Sequence, residues 1–153
     1  MNKSIALDIA EWVALCQDGA CLPVKITLAG NSMHPLIRIH RDVVTIVPLY
    51  RSPKVGDVVL FARDDGNYVV HRLYKIKGET VQTLGDGCIV PDASMPITAI
   101  CGLVTSVKRG RWVIRLDTAV ARFFGRIWIG LLPFHQLIVR IKKRLRRKVR
   151  HEQ

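Results

Sequence analysis

Ser32, His71, Asp86 and Asp92 are the residues of this 153-residue chain whose types and order could do nucleophilic chemistry. Ser32 stands in "AGNSMHP", residues 29–35, among Gly, Asn and Pro residues that each favour a turn. A serine hydroxyl in such a turn is a cap by default. It becomes a nucleophile only where a base lies within hydrogen-bond reach and donors await the oxyanion.

Five histidines could supply the base. His34 is two residues from Ser32, too near along a tight turn for the side chains to converge. His40 opens an "HRD" triplet without the Gly-rich loop and DFG of a kinase, and His135 and His151 lie in a basic C-terminal region. His71 differs. In "NYVVHRLYKI" strand alternation puts Val69, His71 and Leu73 on one face and Tyr68, Val70 and Arg72 on the other. Apolar neighbours suit either a general base or a core histidine bonded to a backbone carbonyl. In "TLGDGCIVPD", Asp86 lies between two glycines and Asp92 follows Pro91. Either carboxylate beside a histidine would fix its tautomer, and either could simply close a turn.

These residues need a frame, and the chain is long enough for one domain with a real core. Nearly half of it is hydrophobic, which excludes global disorder. Six β-rich runs follow one another at 22–30, 42–50, 57–63, 67–77, 79–85 and 97–109, bounded by Gly, Pro, Asp or Asn. Their spacing predicts a compact antiparallel β-barrel or sandwich. Ahead of them Ile5, Ile9, Trp12, Val13 and Cys16 recur at helical spacing after a candidate Ser4 N-cap, predicting a short amphipathic helix. The expected organisation is a helix over 1–20, a β domain over 21–115 and an amphipathic basic region over 116–153.

That last region carries most of the net charge of +12. Residues 140–153 hold eight Lys or Arg against one Glu. Asp117 is a candidate N-cap, and apolar residues recur at 120, 123, 124, 127, 131, 134, 138, 141 and 145. The stretch between Arg126 and Arg140 is too short to span a bilayer. The stripe fits either a helix lying on an anionic membrane, with Arg140, Lys142, Lys143, Arg144, Arg146, Arg147 and Lys148 as headgroup contacts, or a helix packed on the β domain. No recognition motif or aromatic platform accompanies the basic run, so no nucleic acid is expected. Cys16, Cys21, Cys88 and Cys101 form no CxxC pair and have no histidines at zinc spacing, so four reduced thiols and no metal are expected. The N-terminal residues do not form a secretory signal.

The ordered set Ser32, His71, Asp86 and Asp92 on an all-β frame resembles the signal peptidase I family of serine peptidases, in its endoplasmic-reticulum, archaeal and sporulation-type branch. The family's "GxSMxP" box is matched by Asn31-Ser32-Met33-His34-Pro35, and its "GDVVxF" strand by Gly56-Asp57-Val58-Val59-Leu60-Phe61. Its "HR" is matched by His71-Arg72, its "GD" turn with a later Asp by Gly85-Asp86 and Asp92, and its "GxV" strand by Gly102-Leu103-Val104. The resemblance covers about residues 24 to 107. Bacterial-type signal peptidases and the LexA-like autoproteases of the same clan use a lysine where this chain has His71.

The resemblance implies the compact signal peptidase/LexA type of β-barrel and a serine endopeptidase without cofactor. Ser32 would attack, His71 would carry the proton, and Asp86 or Asp92 would orient His71. The Ser32 N–H would serve the oxyanion with a second donor around Asn31, and Gly30 and Met33 would border the substrate. Asn31 stands in place of the family's usual glycine, and Leu84 and Gly87-Cys88 depart from its acid loop. The substrate would be a precursor peptide or protein, with an exporter or peptide-modification enzyme as a further partner. In place of the family's N-terminal anchor the chain offers amphipathic ends. Peripheral association with the cytoplasmic membrane face is therefore expected, the extracytoplasmic face being the alternative. A catalytically retired relative that binds extended peptides is the other reading.

Overall fold

The computed structural model describes residues 8–17 and 22–134. It is mainly β: α1 (Ile9–Gln17), β1 (Val24–Thr27), β2 (Val43–Pro48), β3 (Val58–Ala62), β4 (Tyr68–Lys77), β5 (Thr80–Leu84), β6 (Met95–Pro96), β7 (Ile100–Arg109), β8 (Trp112–Arg115) and α2 (Ala119–Gly130). The six predicted strands are present within a residue or three of their sequence limits. β6 and β8 are additions. β6 is only two residues long, and β8 follows a turn at Gly110, whose φ of 58° suits glycine.

All pairings are antiparallel, in the order β1-β2-β7-β3-β4-β5-β6. The long β7 serves two partners beyond β2, pairing β3 through Ile100–Leu103 and β8 through Ser106–Arg109. Irregularities at Thr45/Ile46, Leu60/Phe61 and Leu73/Lys75 interrupt the ladders, and such bulges bend and twist a sheet. The sheet curls into a half-barrel, which agrees with the barrel-like expectation at the level of fold class.

Apolar clusters lie on both faces. Val58 and Leu60 join Trp12, Met33, Ile37, Val44, Ile46 and Val107 in one, whereas Val59 and Phe61 join Leu73, Val81, Ile100 and Leu103 in the other. That split along consecutive residues of β3 is the period-2 alternation of a strand buried on both sides. α1 covers the first cluster with Trp12 and Val13, and the Trp12 indole N–H donates to the Leu22 carbonyl at 2.7 Å. The Ser4 cap lies outside the described residues.

The C-terminal helix departs from expectation at its start. Thr118 is its N-cap, its hydroxyl accepting from the Ala121 N–H at 3.1 Å. Asp117 instead pairs with Arg115. No helix among the described residues is long and apolar enough to cross a membrane. Cys16 is disulfide-bonded, which corrects the expectation of four reduced thiols, whereas Cys88 and Cys101 are free.

The segment after Ser32 is tied to β7 by one buried carboxylate. Asp42, 1% exposed, accepts from Arg109 and from the Arg38 N–H, while Arg109 also donates to the Leu36 carbonyl. The Arg109 hydrogen bond holds the Asp42 carboxyl below the usual carboxylate range against the opposing effect of burial. The folded state therefore releases its proton more readily than the unfolded chain, and the stabilisation is present above an unfolded pKa of about 3.9. Melting temperature should hold near neutral pH and fall as pH drops through that value toward the depressed folded pKa. Asp42→Asn should flatten this acid dependence, as followed by circular dichroism.

Candidate active site

Ser32 occupies a turn closed by the His34 N–H on the Asn31 carbonyl and the Ile37 N–H on the Met33 carbonyl, with a cis His34–Pro35 bond between. The Met33 side chain is fully buried in the first apolar cluster, so it anchors the turn to the core. Gly30 and Asn31 are exposed, and a Cβ on Gly30 would meet nothing within 4 Å, which leaves the approach to Ser32 open. Among the described residues, neither the Ser32 N–H nor its hydroxyl makes a hydrogen bond. Both remain available as donors.

The 85–88 segment brings this turn to β4. The Gly87 N–H donates to the Ser32 carbonyl at 2.8 Å. A Cβ on Gly85 would lie 2.5 Å from that carbonyl oxygen and 3.0 Å from the Ser32 Cβ, and one on Gly87 would lie 2.8 Å from the His34 carbonyl oxygen. Only glycine permits such approach. The β4–β5 ladder ends at the Arg72–Leu84 pair, and Gly85 follows directly after it. The Ser32 turn thus packs against the end of β5, one residue beyond the position paired with Arg72.

His71 is 4% exposed and packed beside the Phe61 ring, centroids 5.9 Å apart. Its Nδ1 meets Asp92 Oδ2 at 2.6 Å. Asp92 is itself positioned by the Thr83 hydroxyl at 2.7 Å, by Arg63 at 2.9 Å, and by its own N–H on the Thr83 carbonyl at 2.8 Å. Burial pushes the Asp92 carboxyl up, but hydrogen bonds from His71 and Thr83 and the charges of His71 and Arg63 outweigh burial and hold it below the usual range. The carboxylate thus fixes the proton on Nδ1 and leaves Nε2 as the acceptor edge. No sealed side-chain nitrogen or oxygen among the described residues lacks a partner, so Nε2, which has no hydrogen bond, reaches solvent. Ser32 and His71 do not hydrogen-bond each other in this structure.

Asp86 does different work. Its two carboxylate oxygens accept from Arg72 Nε and Nη2, each at 2.7 Å, and its carbonyl accepts from the Trp128 indole at 3.0 Å. Alternation sends Arg72 to the face opposite His71, so this pair cannot orient the imidazole. Of the two carboxylates, Asp92 is the one in contact with His71. Thr83 and Arg63 escaped the sequence reading, because a strand threonine and a surface arginine carry no motif. Cys88, half-buried against Gly85, has its thiol pushed up by burial and by the negative charge of Asp92, making it a poor competing nucleophile. The basic residues Arg140, Lys142, Lys143, Arg144, Arg146, Arg147 and Lys148 lie outside the described residues.

Compared with protein-family models and with curated proteins, the chain matches none.

The two aspartates should separate under mutation. Asp86→Ala leaves a buried guanidinium unpaired and should cost about 3–5 kcal/mol in urea denaturation. Asp92→Asn keeps the shape of a partly exposed site and should cost about 1 kcal/mol.

Proposed function

We propose that the chain is a serine endopeptidase of the signal peptidase type, removing a signal or leader segment from a precursor peptide at a membrane surface. The observation that carries this reading is the Asp92–His71 pair, with His71 on β4, together with the Ser32 turn that Gly85 holds at the end of the neighbouring strand β5. Ser32 Oγ attacks the scissile carbonyl carbon while His71 Nε2 accepts the hydroxyl proton. The Ser32 N–H donates to the developing oxyanion, with a second donor near Asn31. As the C–N bond breaks, His71 returns the proton to the leaving amine, and an acyl group remains on Ser32. Water then gives a proton to His71 as it attacks the acyl carbon, and His71 passes that proton to Ser32 Oγ as the ester C–O bond breaks, which releases the acid product and restores the serine hydroxyl. Asp92 stays ionised throughout, stabilising the imidazolium.

The substrate suits addition as an extended strand. Among the described residues β1 ends the sheet and pairs β2 alone, and it leads into the Ser32 turn, so its outer edge offers backbone groups beside the nucleophile. The disulfide at Cys16 supports the extracytoplasmic face over the cytoplasmic one, since persistent disulfides belong to oxidising compartments. Alkylation in intact cells should reach Cys16 only after reduction, and labelling without reductant would return the enzyme to the cytoplasmic side.

One observation favours a second reading, a relative that binds extended peptides without cutting them: Ser32 and His71 make no hydrogen bond to each other. A single experiment separates the two. Purified full chain is incubated with anionic vesicles and a library of leader-like peptides, and products are read by mass spectrometry. Native protein should cleave. Ser32→Ala and His71→Ala should lose about 10⁴-fold or more, and Asp92→Asn about 10⁴-fold. Peptide binding with no cleavage by the native chain selects the second reading.

A further inference from the structure

α2 is amphipathic in the reverse of the usual sense for a helix packed on a sheet. Val120, Phe123, Phe124, Ile127 and Leu131 recur at helical spacing and are 65, 60, 64, 44 and 40% exposed. The packed side is Gly125, seated on the Arg72 guanidinium and the Gly56 carbonyl, together with Trp128 on the Asp86 carbonyl. The sheet thus holds α2 through a glycine and an indole, and turns its apolar stripe outward.

The stripe continues into a groove. The space is about 520 Å³, and its apolar lining of Val120, Phe124, Ile114, Pro35 and Leu36 is joined by charged residues, among them Arg109 and Arg115. Pro35 and Leu36 belong to the turn that carries Ser32, so the apolar face and the candidate nucleophile adjoin.

We propose that this face, the outward stripe of α2 with its groove, docks into the interfacial layer of an anionic lipid bilayer. The chemistry fits both layers of such a surface. Phe123 and Phe124 stand edge to face, with centroids 6.0 Å apart, as aromatic side chains suited to the acyl boundary. Arg126 is exposed on the same helix and Arg111 is exposed beside β8, both suited to phosphate headgroups. A second copy is the poorer occupant, because each chain carries a net charge of +12 and would bring that charge against itself. The inference deepens the proposed function by naming the surface that faces the membrane, and it rests on that reading only for the use made of docking.

Flotation of the full chain with phosphatidylcholine vesicles, with and without phosphatidylglycerol, tests it. Four proteins are compared: native, Phe123→Ser with Phe124→Ser, a variant with Lys142, Lys143, Arg144, Arg146 and Arg147 changed to Gln, and Ser32→Ala. Circular dichroism melts confirm folding, which the exposed phenylalanines should not disturb. The double phenylalanine variant should lose about tenfold or more in partitioning to anionic vesicles. Native protein and the glutamine variant should both keep measurable binding at about 1 M salt, where charge acts over only ~3 Å. Ser32→Ala should float as native does. If the double variant partitions as native, the proposal is wrong. It is equally wrong if light scattering shows a native dimer that the double variant dissolves with vesicle binding unchanged, for the face is then a self-interface. Native flotation lost in the double variant, combined with absent peptide cleavage, keeps the docking face and removes the peptidase reading.

Discussion

The buried pair between Arg72 and Asp86 is the constraint on which the other parts converge. Arg72 and Asp86 are 6% exposed each, and the guanidinium gives two nitrogens to the carboxylate and a third to the Gly56 carbonyl at 2.8 Å. Removing both charges from water costs several kcal/mol, recovered only when every donor and acceptor is matched. Here the fork geometry matches both carboxylate oxygens. The pair fixes the 85–87 segment relative to β4, and through the two flanking glycines it fixes the Ser32 turn. It also provides the surface on which Gly125 of α2 rests. Gly56 meets the same requirement from below, since a Cβ there would lie 2.6 Å from the Arg122 carbonyl and φ is 97°.

Two adjacent residues of one strand therefore divide the labour between opposite faces. Arg72 points to the side where structure is tied together, and His71 points to the side where chemistry can occur. The two aspartates divide in parallel. Asp86 has both oxygens engaged by a permanent cation, while Asp92 receives His71, Thr83 and Arg63 and keeps a fifth of its side chain exposed. A carboxylate bonded to an imidazole stabilises a positive charge that comes and goes, and one locked to arginine stabilises a charge that never leaves.

Much of this was legible in the sequence because alternation is a strict rule. The placement of His71 with Val69 and Leu73, opposite Arg72, needed only the period of two. The joining of the Ser32 turn to the end of β5 needed more. It depends on Gly85 and Gly87 accepting backbone within 3 Å, and in sequence a Gly-Asp-Gly run is indistinguishable from an ordinary turn. The burial of Met33 was hidden for a related reason: a methionine inside a run of turn residues carries no alternation that would mark it as core. Asp117 lost the cap to Thr118 because Arg115, two residues earlier, offered it a bidentate partner, and β8 was hidden because an exposed edge strand shows no inward-outward alternation.

The way the Ser32 turn is held bears on how any variant there is to be understood. Its backbone carbonyl accepts from Gly87, its neighbouring carbonyls close the turn, and Met33 fills the core beneath it. The hydroxyl and the amide of Ser32 take no part in any of this. A serine retained for capping has its oxygen on a backbone N–H, and truncating it costs roughly 1 kcal/mol of stability. A serine whose hydroxyl is idle in the fold can be truncated to alanine with the turn intact, because every restraint on the turn acts through atoms alanine also has. Any loss of function in that variant is then a loss of the hydroxyl's chemistry and cannot be assigned to a displaced loop.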